Sequence, residues 1–136
     1  MRIILDTNLW ISYLLTNRLL GLDQLIKSQT ILLLFSEESL EEFIEVAQRP
    51  KFSKYFSSED LSELLELFDL YGEIIIIKSD LRLCRDTNDD FLLNLAKDGN
   101  ADFLITGDKD LLVLDKMEST QIITYDQFLK ELKFTG

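Results

Sequence analysis

The chain has 136 residues, 14 of them Lys or Arg and 25 Asp or Glu, giving a formal charge of −11 with no histidine at all. That length suits one domain spanning residues 1–136, and 46% hydrophobic with 29% charged residues is an ordinary globular composition, far from that of disorder. Absent histidine excludes Ser-His-Asp and Cys-His triads, His acid–base pairs and every His-ligated zinc or haem site. The single cysteine, Cys84, can form no intramolecular disulfide and has no partners for a Cys zinc cluster, so it reads as a small half-buried apolar residue. Met1-Arg2 runs directly into Ile3-Ile4-Leu5, too short for a secretory segment, and no apolar run approaches the roughly 18 residues of a membrane span. The expected setting is the cytoplasm, with no membrane partner. The acidic balance argues against a general nucleic-acid coat, because phosphate contacts draw on surplus Lys and Arg. It fits a metal-binding cleft or a basic partner.

Arg2-Ile3-Ile4-Leu5 reads as a buried strand, followed by a turn at Asp6-Thr7-Asn8 and a helix through Leu15. Helical spacing continues from Leu19 to Ser28, with Leu22, Leu25 and Ile26 on one stripe. Thr30 to Phe35 is a second apolar run, and its length and flanks favour a strand. Ser36 is placed to cap a helix over Glu37 to Gln48, whose apolar stripe is Leu40, Phe43, Ile44 and Ala47. Arg49-Pro50 ends it, since the residue before proline leaves the α region. Lys51 to Phe56 reads as a basic and aromatic connector, and Ser57 or Ser58 caps the next helix, with Leu61, Leu64, Leu65 and Phe68 inward.

Ile74-Ile75-Ile76-Ile77 is the clearest strand by composition. A polar loop over Lys78 to Asn88 leads to a helix opened by Asp89, with Leu92, Leu93 and Ala96 inward and Gly99 at its end. Phe103 to Thr106 is a fourth strand, broken by Gly107-Asp108, and Asp110 to Leu114 is a short helical turn. Gln121 to Thr124 is a fifth strand, and Asp126 is expected to cap a terminal helix carrying Phe128, Leu129 and Leu132. Strands alternating with helices predict an α/β fold, a parallel sheet of about five strands covered by helices on both faces.

In such sheets the ligand site lies beyond the carboxyl ends of the strands, and that rim collects acids. Asp6 follows the first strand, Asp108 the fourth, Asp89 and Asp90 begin the helix after the third, and Glu42 lies in the helix after the second. Each has a plain structural alternative. Asp6 can cap a helix, Asp89 or Asp90 can pair with a helix dipole, and Glu42 lies in an acidic run where Glu38 and Glu41 fit the periodicity as well. Gathered on one rim, however, carboxylates repel unless their pKa values rise or a cation is bound. Oxygen-only ligation selects a hard ion such as Mg²⁺ or Mn²⁺, and such an ion suits hydrolysis of phosphate esters and phosphodiesters.

Leu5-Asp6-Thr7-Asn8, the stretch from Ser36 to Val46 running into Arg49-Pro50-Lys51-Phe52, Arg85-Asp86 through Asp89-Asp90-Phe91-Leu92, and Ala101 through Thr106-Gly107-Asp108-Lys109-Asp110-Leu111-Leu112 together resemble a PIN domain. Within that family the resemblance is to proteins described as toxin components of bacterial and archaeal toxin–antitoxin systems. It implies a three-layer α/β/α sandwich, a Mg²⁺- or Mn²⁺-dependent ribonuclease site, an RNA substrate, an antitoxin partner and a homodimer. The family's acids fall on Asp6, Glu42, Asp89 and Asp108, as catalytic residues and metal ligands, with Asp110 as an additional contributor and Asp86 or Asp90 as alternatives to Asp89. Thr7, Asn8 and Thr106 are implied supporting polar groups. Thr87 stands where many relatives carry proline, which loosens that loop without touching the acids.

Steering RNA to an acidic protein requires a local basic rim. Arg49, Lys51 and Lys54 are candidates, as are Arg82, Arg85 and Lys109 beside the acids; the alternative is scattered solubilising charge. Trp10, Tyr13 and Tyr55 fit either an interface or the core. Two other functions stay open. Phosphoaspartate chemistry is one, although Asn8 stands where a haloacid-dehalogenase phosphatase has its second Asp and the third strand ends in Lys78-Ser79, where a receiver domain has its phospho-acceptor. A non-catalytic partner-binding PIN module is the other.

Overall fold

A computed structural model describes residues 1–16, 22–84 and 87–135. Six strands lie in one sheet: β1 (Arg2–Leu5), β2 (Leu32–Phe35), β3 (Gly72–Ile74), β4 (Phe103–Ile105), β5 (Lys116–Met117) and β6 (Thr120–Ile123), in the order β3-β2-β1-β4-β6-β5. All neighbours pair in parallel except β5 and β6, which form an antiparallel ladder at one edge. Among the described residues the helices are α1 (Thr7–Thr16), α2 (Leu22–Lys27), α3 (Glu37–Ala47), α4 (Pro50–Ser53), α5 (Ser58–Tyr71), α6 (Thr87–Asp98), α7 (Lys109–Leu112) and α8 (Tyr125–Thr135). The start of the predicted second helix, Leu19 to Gly21, lies outside the described residues.

Alternation along the strands builds two apolar layers. Ile3, Leu5, Leu33, Phe35 and Ile105 face α1, α2, α3, α5 and α8 through Trp10, Ile26, Phe43, Phe68 and Phe128. Ile4, Leu34, Leu104 and Ile122 face the other way, onto Leu92, Leu93, Leu95 and Ala96 of α6 and Leu111 of α7. A sheet buried on both faces gives the predicted α/β/α sandwich. Trp10 belongs to the core, 2% exposed, whereas Tyr55 stands on the surface.

Four local expectations are corrected. The sheet has a sixth strand, β5, which is too short and polar to read from composition. The segment Lys51–Phe56 begins not as a plain connector but as α4, because Pro50 occupies its first turn, where a missing N–H costs nothing. The terminal helix is capped by Thr124, not Asp126: Thr124 Oγ1 accepts from the Gln127 N–H at 3.2 Å and Gln127 Oε1 accepts from the Thr124 N–H at 3.0 Å.

The third strand is shifted to Gly72–Ile74 rather than Ile74–Ile77. Its partner β2 ends at Phe35 because Ser36 opens α3 in a reciprocal cap with Ser39. The Ile75 N–H donates to Phe35 O at 2.7 Å, the last rung, and Ile76 is 76% exposed.

Beyond Ile77 the chain finds its hydrogen bonds on a helix instead of a strand. Asp90, Asn94 and Asp98 recur every four residues along α6, so they share one face. Asp98 accepts from the N–H groups of Lys78 and Ser79 and from the Ser79 hydroxyl, at 2.6–2.8 Å. Asn94 Oδ1 accepts from the Leu81 N–H at 2.6 Å, and Asp90 Oδ1 accepts from the N–H groups of Leu83 and Cys84, each at 2.8 Å. Burial pushes the Asp98 pKa upward, but the Ser79 and Lys78 hydrogen bonds and the Lys97 charge outweigh it and hold the carboxyl below its ordinary value of 3.8.

Removing this acceptor leaves three donors unmatched, so Asp98→Ala is expected to destabilise the fold by about 1–3 kcal/mol in urea denaturation. The stabilisation from Asp98 is present above pH 3.8 and is lost as the pH falls through its lowered folded value. An unchanged denaturation midpoint would show that the ladder carries no stability.

Candidate metal centre

Strands β1 and β4 are adjacent and parallel, and the chain leaves them toward opposite edges of the sheet, β1 toward β2 and β4 toward β6. Their carboxyl ends therefore open the crevice in which doubly wound sheets place their ligands. Asp6 leaves β1 at this point, its N–H bonded to Ile105 O at 3.0 Å. Its Oδ1 accepts from the Asn8 N–H at 3.3 Å and its carbonyl from the Leu9 N–H at 2.9 Å, so Asp6 also starts α1. The helix-capping role and a site role coexist in one residue, because the carboxylate's second oxygen is turned elsewhere.

That oxygen, Oδ2, accepts from Thr106 Oγ1 at 2.7 Å, and the same hydroxyl accepts from the Asp108 N–H at 3.0 Å. Thr106 is 1% exposed. One buried hydroxyl thus fixes the loop after β4 against the loop after β1. Asp108 caps α7, its Oδ1 accepting from the Asp110 N–H at 2.9 Å. Oxygens of Asp89, Asp108 and Asp110 come within 4.8 Å of one another.

Asp110, expected as a contributor, is thus one of three converging carboxylates, placed there by the tight turn between positions 108 and 110. Its signal in the sequence was the family resemblance of the Thr106 to Leu112 segment. Asp6 and Glu42 lie outside that triplet. Asp90 is buried and committed to the Leu83 and Cys84 N–H groups, which separates its role from that of its neighbour Asp89. Asp86 and Arg85 lie outside the described residues.

Glu42 sits in the second turn of α3. Partial burial, then the negative charges of Asp6 and Glu45, raise its pKa above the ordinary 4.5, while the Arg49 cation pulls the other way. Of the residues Glu38, Glu41 and Glu42, it is therefore Glu42 whose charge meets the Asp6 side of the crevice. On the far side, the Cys84 thiol is pushed up to about 11 by burial, then by Asp90, Asp89 and Asp108. It stays protonated near neutral pH, as expected of a half-buried apolar residue.

The candidate cations are distributed unevenly. Arg49 stands close enough to act on Glu42 and pairs with Glu45 at 3.4 Å. Lys51 and Lys54 lie over the rings of Phe52 and Tyr55 at 5.3 and 5.1 Å. Lys109 is exposed in the first turn of α7, next to Asp108. Arg82 pairs with Asp80 at 3.1 Å. Asn8 contributes its backbone N–H to the Asp6 loop, and Thr7 opens α1.

The donor set fits a divalent metal. Three carboxylates converge, with no histidine nitrogen donor in the chain and the Cys84 sulfur outside the group, which matches a hard cation. Because the folded chain raises the Glu42 pKa, folding binds that proton more tightly than the unfolded chain does, so the ionised form destabilises the fold at neutral pH. Without metal, Glu42→Gln is expected to stabilise the protein at pH 7 by less than about 1 kcal/mol, the group being largely exposed. The difference should vanish as the pH falls below 4.5. Destabilisation at pH 7 in thermal unfolding would contradict the assigned repulsion.

No described helix is long and apolar enough to cross a membrane. A family model described as PIN domain matches residues 2–110, most of the chain, including Asp6, Glu42, Asp89, Asp108 and Asp110. Neither the curated proteins nor the solved structures compared with the chain gave a match. With the family model spanning the sheet's switch point and its acidic rim, the chain belongs to the PIN domain family, whose members are generally metal-dependent nucleases.

Proposed function

We propose that this chain is a Mg²⁺- or Mn²⁺-dependent endoribonuclease and the toxin component of a toxin–antitoxin pair, working in the cytoplasm as a single-domain protein that forms a homodimer. The observation that carries the nuclease reading is the convergence of Asp89, Asp108 and Asp110, with Asp6 joined to Asp108 through Thr106. In this reading Asp6, Asp89 and Asp108 hold the metal, Asp110 adds a carboxylate beside them, and Glu42 acts through water. When bound, such an ion makes a water more nucleophilic and offsets charge developing on the phosphate.

The protein's own groups do the positioning. Thr106 fixes the direction of Asp6 Oδ2 and holds the Asp108 loop at the same depth. Glu42, whose charge acts on Asp6, orients the attacking water for in-line displacement. Arg49, Lys51, Lys54, Arg85 and Lys109 guide the phosphate backbone, offsetting locally the repulsion expected from a charge of −11. The antitoxin in this reading covers the acidic cleft.

The test is cleavage of single-stranded RNA with Mg²⁺ or Mn²⁺, alongside DNA of the same sequence, chelator, and the Asp6→Asn and Asp108→Asn variants. RNA should be cut in preference to DNA, chelator should abolish cleavage, and each variant should lose roughly a hundredfold or more. Cleavage indifferent to chelator and to both variants would overturn the mechanism, and equal cutting of DNA would overturn the ribonuclease assignment.

A further inference from the structure

The sheet edge opposite β5, on the α3 side of the fold, carries an apolar cavity of about 260 Å³. Leu40 of α3, Leu65 and Phe68 of α5, and Phe35 and Ile74 at the ends of β2 and β3 wall it. Gly72 lets the start of β3 pack tightly against α5, since a Cβ there would come within 2.5 Å of Phe68 O and 3.1 Å of the Phe35 ring. The volume lies below the roughly 300–1,000 Å³ of small-molecule sites, and Asp69 is the one charged residue among those lining it. That is room for an apolar side chain or two, not for a cofactor. Beside it β3 is an edge strand, with Ile74 51% and Ile76 76% exposed.

The two helices that frame the cavity carry an unusual charge. Glu37, Glu38, Glu41, Glu42 and Glu45 on α3, and Glu59, Asp60, Glu63, Glu66 and Asp69 on α5, make ten acids, and neither helix contains a Lys or Arg. Helical spacing sets Glu37 beside Leu40 and Asp69 beside Leu65. An apolar slot bordered by carboxylates repels phosphate, which argues against nucleic acid. It also repels a second copy, which would bring the same ten acids.

We infer that this groove docks a basic protein segment that lies along the β3 edge, sets an apolar side chain into the cavity and places Lys or Arg against α3 and α5. Apolar anchors in a pocket with charged flanks are the usual division of labour in peptide recognition, and an exposed strand edge offers unpaired backbone groups to an extended chain. The inference is independent of the nuclease reading, since its residues other than Glu42 take no part in that chemistry.

The test uses a fluorescently labelled peptide of lysines flanking a central leucine, followed by anisotropy on the full chain, with an all-lysine peptide as control. The leucine peptide should bind saturably, weaken as salt rises, and lose roughly tenfold in affinity on Ile74→Lys and on Asp69→Lys. Both positions are exposed, and circular dichroism checks that the variants fold. Equal binding of the all-lysine peptide, or unchanged binding by both variants, would overturn the proposal. So would a wild-type dimer that Ile74→Lys dissociates, which would assign the groove to a second copy.

Discussion

Carboxylates of Asp89, Asp108 and Asp110 whose oxygens lie within 4.8 Å of one another repel, by about 1 kcal/mol for a pair at 4 Å even in water and more where water is excluded. Much of the surrounding structure serves to hold them there. The Thr106 hydroxyl, buried at the end of β4, donates to Asp6 and accepts from the Asp108 N–H, so the loop that carries Asp108 is fixed against the Asp6 loop at the switch point. The Asp108 cap on α7 brings Asp110 round in one tight turn. Behind Asp89, the ladder of Asp90, Asn94 and Asp98 ties the incoming segment to α6. Each contact is ordinary as a stabilising device. Together they keep the three carboxylates close enough to share a divalent cation.

The same residue types therefore do two different jobs in this acidic chain. Asp90 and Asp98 are satisfied by backbone N–H groups and act as substitutes for a strand partner, whereas Asp89, one residue away from Asp90, faces other carboxylates. A helix turns by about 100° per residue, so adjacent acids at its first turn point to separate surroundings. Side chains without an acceptor oxygen at these ladder positions would forfeit hydrogen bonds to a segment that has already run past the end of β2.

Most of the fold was readable because apolar runs and helical stripes follow burial directly. Ile3 to Leu5, Leu33 to Phe35 and Leu104 to Ile105 alternate between two buried layers, and only a sheet covered on both sides accommodates that. Features that depend on partners were less legible. The run Ile74–Ile77 has the composition of a strand, yet its pairing stops where Ser36 turns β2 into α3, a limit set by another segment. β5 owes its ladder to the turn before β6, and Thr124 outcompetes Asp126 as a cap because Gln127 can reciprocate. At the site, acids after strand ends marked the rim, and composition excluded nitrogen and sulfur ligands. The choice between Asp89 and Asp90 needed the ladder on α6, and Asp110 needed the turn at Asp108, neither of which is visible in spacing alone.

The central claim is that the acidic rim is a divalent-cation site and not only a set of helix caps. Titration of the purified chain with Mn²⁺, followed by the loss of the free-ion electron paramagnetic resonance signal, measures it without reference to any substrate. The account predicts saturable binding that Mg²⁺ displaces and that Asp108→Asn abolishes while the fold, still capped at α7 by asparagine, persists. Binding that is absent, or that survives Asp108→Asn unchanged, would contradict it.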